Sequence, residues 1–137
     1  MRRALGEAGY DDMPKNGLYV IRGLAMGAGD IPLGQLVREL RVSKQAAGQL
    51  VDMLVLRGYL RRTADQEDRR KLTVTLTERG RAAAATQAAA REKIDAELIA
   101  RVGQEDVNRT RRTLGVLIEM GRQSDEEQVL EAKEKDS

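Results

Sequence analysis

The chain has 137 residues, 41% hydrophobic and 34% charged, with a formal net charge of +2; this composition excludes a disordered or membrane-embedded protein and suits one domain, residues 1–137, burying about two-thirds of its unfolded surface. With no cysteine and no histidine, disulfides, thiol redox switching, zinc clusters and imidazole general-base chemistry are excluded, and neither a metal site nor a cofactor is expected. Three tyrosines are the only aromatic residues, too few to stack unpaired bases in series, which argues against single-stranded nucleic acid.

Along the chain, Arg2 to Gly9 allows at most two helical turns before a glycine. Asp12 can cap a helix with Pro14 in its first turn, and Leu18, Ile21, Leu24 and Ala25 recur at helical spacing until Gly27 and Gly29. A second helix is expected from Ile31 or Pro32 to Leu40, with Leu33, Leu36, Val37 and Leu40 on one face. Ser43 is a good N-cap for a third, which buries Ala47, Leu50, Val51 and Leu54 while Lys44, Gln45, Gly48, Gln49 and Asp52 point elsewhere. Gly58 suits the left-handed position that ends it. Two amphipathic helices joined by a short turn make a helix-turn-helix.

Leu60 to Ala64 and Lys71 to Leu76 then read as strands, the second alternating Leu72, Val74 and Leu76 against Thr73 and Thr75, with residues 65–70 as a polar hairpin tip. Thr77 caps a helix that passes through the alanine-rich run Ala82 to Ala90 and ends at Gly103. A last helix is expected from Glu105 to Met120, with Val107, Thr110, Leu114, Leu117 and Ile118 as its stripe and Gly121 as its end, followed by a charged, mobile tail over 122–137. No apolar run approaches the roughly 20 residues that span a bilayer, and the first residues lack the apolar core of a signal peptide, so a cytoplasmic location is expected.

The distribution of charge says more than its total. Arg38 to Arg81 holds eleven Lys and Arg against six Asp and Glu, a net of +5, whereas Arg122 to Ser137 holds three against six, a net of −3. The positive charge therefore lies on the helix-turn-helix and its hairpin. A helix that starts with Ser43, Lys44 and Gln45 can enter a major groove, where Gln45, and after it Gln49, reach base edges while Ser43 and Lys44 hold phosphate. A solvated helix surface would carry the same residues. At the hairpin, Asp68 and Arg70 are two apart and share a face, so the carboxylate can aim the guanidinium at a minor groove while Arg69 points the other way, toward a phosphate or back onto the hairpin. An ordinary exposed ion pair, worth about 0–1 kcal/mol, is the plainer reading of that pair taken alone.

Taken jointly, Val42-Ser43-Lys44-Gln45-Ala46, Leu50-Val51-Asp52, Arg57-Gly58-Tyr59-Leu60, Asp68-Arg69-Arg70 and Leu76-Thr77-Glu78-Arg79-Gly80 resemble the MarR family of transcriptional regulators. The resemblance is strong from Leu33 to Ala85. It implies a mainly α fold with a small β-hairpin, a winged helix-turn-helix over 13–80 flanked by dimerisation helices over 1–12 and 81–121. It also implies a recognition helix with Ser43, Lys44, Gln45, Gly48 and Gln49 at the DNA, a wing carrying Asp68, Arg69, Arg70 and Lys71, and a homodimeric repressor on duplex DNA. A small anionic or phenolic effector that releases the DNA is implied in the same way. The sequence departs from the family pattern at Asp65-Gln66, where Asp-Pro is common, and in the long first helix, of which Arg2 to Gly9 is the most that is present.

A dimer also has a physical basis. The last two helices are joined by a short glycine turn, their apolar stripes exceed what one small winged helix can cover, and Ala82 to Ala90 permits a partner's close approach. A two-fold dimer would set its recognition helices roughly 34 Å apart and select a near-palindromic operator. The alternatives are a monomeric core, and a winged helix used only for protein contacts, which would not need the basic residues Arg69, Arg70 and Lys71. An enzyme is not expected, since no phosphate-cradling glycine loop or convincing carboxylate pair is present.

Overall fold

The computed structural model describes residues 2–27, 30–32, 35, 38, 40–64, 67 and 72–135. Its elements are α1 (Arg2–Glu7), α2 (Gly17–Met26), β1 (Asp30–Pro32), α3 (Lys44–Leu56), β2 (Leu60–Ala64), β3 (Leu72–Leu76), α4 (Glu78–Val102) and α5 (Gln104–Lys135). The fold is mainly helical with a small antiparallel sheet, as expected. The chain forms two compact units, residues 1–92 and 93–137.

In the first unit the sheet has the order β1-β3-β2. The hairpin pairs Leu60 with Leu76 and Ala64 with Leu72, and β1 adds Asp30 opposite Thr75 through Pro32 opposite Thr73. Beneath it lies one core in which Leu5 of α1, Val20, Ile21 and Leu24 of α2, Val51 and Leu54 of α3, Tyr59, Leu60, Val74 and Leu76 of the hairpin, and Ala83 and Ala84 of α4 are buried. The spacing of Ala47, Val51 and Leu54 turns one side of α3 into this core, in agreement with the period of the sequence.

Several elements differ from the sequence reading. Asp12 caps no helix: α2 begins at Gly17 after Asn16, which is left-handed at φ 65° and makes no side-chain cap. The Asp12 carboxylate is instead taken by Tyr59 and Arg79, and Pro14 lies in the turn before the helix. Val20 is buried where Ala25, expected on the apolar face, is exposed. Ile31 and Pro32 belong to a strand and not to the start of the second helix; β1 is an edge strand, where a residue without an N–H is tolerated. Gln35, Arg38 and Leu40 are helical, while Leu33, Leu36 and Val37 lie outside the described residues. Thr73, expected on the open face of its strand, is buried, and its hydroxyl lies 2.8 Å from that of Thr63 across the hairpin.

In the second unit the end of α4 turns at Gly103, φ 88°, into α5, and Arg111 meets Asp95 at 3.0 Å between the two helices. Gly121 does not end α5, which runs to Lys135. A helix-interior glycine costs only about 1 kcal/mol, and Arg122 bonds back to Glu119 at 2.9 Å across it. Val107 is the buried residue of α5. Leu114, Val116, Leu117, Ile118 and Met120 are all exposed in the single chain.

Candidate nucleic-acid interface

The start of α3 is built by its cap. Ser43, at φ −59° and ψ 151°, accepts a hydrogen bond from the Ala46 N–H at 3.1 Å, which satisfies one of the free donors at the helix start and fixes where the helix begins. Because Ala47, Val51 and Leu54 anchor the opposite side, Lys44, Gln45 and Gln49 stand exposed on one side of the helix, with Gly48 half-buried between them. A methyl group added at Gly48 would meet nothing within 4 Å. Gln45 and Gln49 are one turn apart and can reach the same groove.

Further along the same side, Asp52 is bonded to Arg62 of β2. This pair, which the sequence reading did not single out, ties α3 to β2. Strand alternation offered a signal for it, since Arg61 and Arg62 cannot both face the core. Arg61, Arg62 and Glu67 are exposed. Asp68, Arg69, Arg70 and Lys71 lie outside the described residues, as do Asp65 and Gln66.

The far end of α3 is held by a second cluster that sequence reasoning missed. Gly58, at φ 78°, takes the left-handed position, and the next residue, Tyr59, is fully buried. Its hydroxyl donates to Asp12 Oδ1, and Arg79 Nη2 donates to the same oxygen at 3.0 Å. The Arg79 guanidinium lies over the Tyr59 ring, 4.3 Å from its centre, a cation–π arrangement. The Asp12 carboxyl is held below its usual value, first by the Tyr59 hydrogen bond and then by Arg79, against the opposing effect of burial. Burial, with the hydrogen bond to Asp12, pushes the Tyr59 phenol up to about 12. Both groups therefore keep their ordinary charge states at neutral pH.

The first turn of α4 closes on this cluster. Thr77 caps it, accepting from the Gly80 N–H at 3.1 Å, and its hydroxyl donates to the Gly58 carbonyl. Among the described residues no group of three or more acidic side chains could hold a metal ion, and no helix is long and apolar enough to cross a membrane.

The capped helix α3, a three-stranded sheet with a hairpin and the long helix α4 that follows it define a winged helix-turn-helix fold. Residues 12–71 match the model of the MarR family. The whole chain carries the fold of MarR-family transcriptional regulators. It superposes on Streptococcus pneumoniae FabT, solved in complex with DNA, with a TM-score of 0.73 at 20% identity, over 82% of this chain and 78% of that one. MarR itself gives 0.73 at 19% identity, over 92% and 86%, and the heme sensor protein PefR, solved with heme and carbon monoxide, gives 0.61 at 20% identity, over 85% and 80%. No curated protein matches the chain.

Proposed function

We propose that this protein is a cytoplasmic, homodimeric transcriptional repressor, not an enzyme, that binds duplex DNA at a near-palindromic operator. The observation that carries this reading is the capped N-terminus of α3, which holds Lys44, Gln45 and Gln49 exposed on one side of a helix anchored from behind. Gln45 reads a base edge, Gln49 assists it, Ser43 and Lys44 hold phosphate, and Gly48 leaves room for the close approach. At the wing, Arg70 aimed by Asp68 enters the minor groove, with Arg69 and Lys71 on the backbone. The complex of FabT with DNA supports the assignment, since it has the same fold.

Dimerisation is supported by the exposed apolar side of α5, where Arg112, Thr113, Val116, Leu117 and Met120 line a shallow groove of about 450 Å³. A monomer rarely leaves so contiguous an apolar surface in water. Release by a small anionic or phenolic effector is supported by a half-open cavity of about 580 Å³ in the first unit. Leu5, Tyr10, Met13, Pro14 and Leu18 give it apolar walls, and Arg2 and Lys15 outnumber Asp11 in its charged lining.

The direct test of the base-reading role is Gln45→Ala. It should cost about 1–3 kcal/mol at one base position of the selected operator and leave the other positions unchanged. Unaltered sequence preference would move base reading to Gln49 or to DNA shape.

A further inference from the structure

The three carbonyls of Arg57, Gly58 and Tyr59 all receive hydrogen bonds from the first residues of α4 or the residue before it. Thr77 N–H donates to Tyr59 at 3.1 Å, the Thr77 hydroxyl to Gly58 and Arg79 Nη1 to Arg57. A Cβ at Gly80 would overlap the Tyr59 carbonyl oxygen, so the two backbones touch. These contacts join the end of α3 to the start of α4 along a single three-residue segment. A joint of that kind fixes distance and still allows rotation about the segment.

Arg79 supplies what the joint lacks. Its Nη2 and Nη1 reach Asp12 Oδ1 and Oδ2 at 3.0 and 3.3 Å, a two-pronged contact that fixes direction as well as distance. Asp12 belongs to a separate segment, the turn before α2, and Arg57 Nη1 closes the loop by donating to the Asp12 carbonyl. Both terminal nitrogens of Arg79 are therefore committed within the protein, and its face is laid on Tyr59, so it is not a phosphate contact. We infer that Arg79, clamped by Asp12 and stacked on Tyr59, is a positioning residue that locks the recognition helix to the first turn of α4 and so sets the half-site spacing that the dimer accepts. This rests on the reading of the protein as a dimeric DNA-binding regulator, because in a two-fold dimer the separation of the recognition helices is read directly as the separation of half-sites.

The test is selection of duplexes from a random-sequence pool by the full chain, by Arg79→Gln, by Asp12→Asn and by Arg79→Lys, with cooperative thermal melting required of each variant. Asp12→Asn keeps an acceptor for Tyr59 and loses only the charge, so it stands in if Arg79→Gln fails to fold. The wild-type protein should enrich two inverted half-sites at one spacing. Arg79→Gln and Asp12→Asn should enrich the same half-site sequence at a broadened set of spacings and bind the wild-type spacing about fivefold or more weakly, while Arg79→Lys should recover part of the sharpness. A single sharp spacing and wild-type affinity in both variants would overturn the inference, as would loss of the half-site sequence itself, the mark of a merely structural role. If the wild-type protein enriched no inverted pair, the DNA-binding reading would fail first and the inference with it.

Discussion

Arg79 and Asp12, 67 positions apart in the chain, meet at 3.0 Å, and the Tyr59 hydroxyl donates to the same carboxylate oxygen. The contact joins the turn before α2, the end of α3 and the start of the long helix α4 at one place. Its parts answer to pH in opposite directions, and the sign of each response follows from the direction of its shift.

The Tyr59 phenol, ordinarily near 10, ionises in the folded protein only at about 12. Its contribution to stability is complete below pH 10 and is lost as pH rises to 12, because in that window the unfolded chain releases the proton and the folded one does not. The loss should reach about 2–3 kcal/mol. Asp12 is lowered from 3.8, so its contribution is present above that value and is lost as pH falls through the lower folded one. Urea unfolding at a series of pH values should show both limbs, with the alkaline limb flattened by Tyr59→Phe and the acid limb by Asp12→Asn. Unchanged slopes in the two variants would contradict the cluster.

Two glycines in helices should respond to alanine with opposite signs. At Gly80 a Cβ would run into the Tyr59 carbonyl, a backbone atom that cannot give way without moving the joint, so Gly80→Ala should destabilise by about 1–3 kcal/mol. Gly48 has open space around it inside α3, and Gly48→Ala should stabilise the free protein by about 0.5–1 kcal/mol. Thermal melting of the two variants side by side checks both.

On the proposed reading α5 carries the dimer contact. Leu117 is 62% exposed and Ile118 72% exposed in the single chain, and a carboxylate placed there would have to be buried against the partner. Leu117→Asp should therefore yield a species that sediments near the 15.2 kDa of one chain, with helix content preserved, where the wild-type protein sediments at twice that mass. Equal masses for the two would show that α5 does not carry the contact.

What could be read in the sequence was fixed locally. Ser43 accepts from Ala46, Gly58 and Gly103 take positive φ, and Thr77 caps α4; in each case the residue type answers a backbone requirement within a few positions. Asp12 shows the converse. It has the chemistry of a cap, but its partners are 47 and 67 positions away, and no local pattern distinguishes the two uses. The strand at Asp30–Pro32 was likewise invisible, since three residues ending in proline become a strand only because β3 has a free edge beside them. Gly121 misled for a different reason: the side chains after it are good helix formers, and their summed preference exceeds the cost of one glycine. The exposed residues of α3 were legible from period alone, while the Asp52–Arg62 bond needed the hairpin's placement.

The most direct measurement is fluorescence anisotropy of the full chain on duplex DNA from upstream of its own coding region and on a scrambled duplex, across a salt series. The account predicts tight binding that prefers the upstream duplex and weakens steeply with salt, with a slope of about −0.9 for each phosphate neutralised, and a shallower slope or lower affinity for Arg70→Ala. Equal and salt-insensitive binding to both duplexes would contradict it.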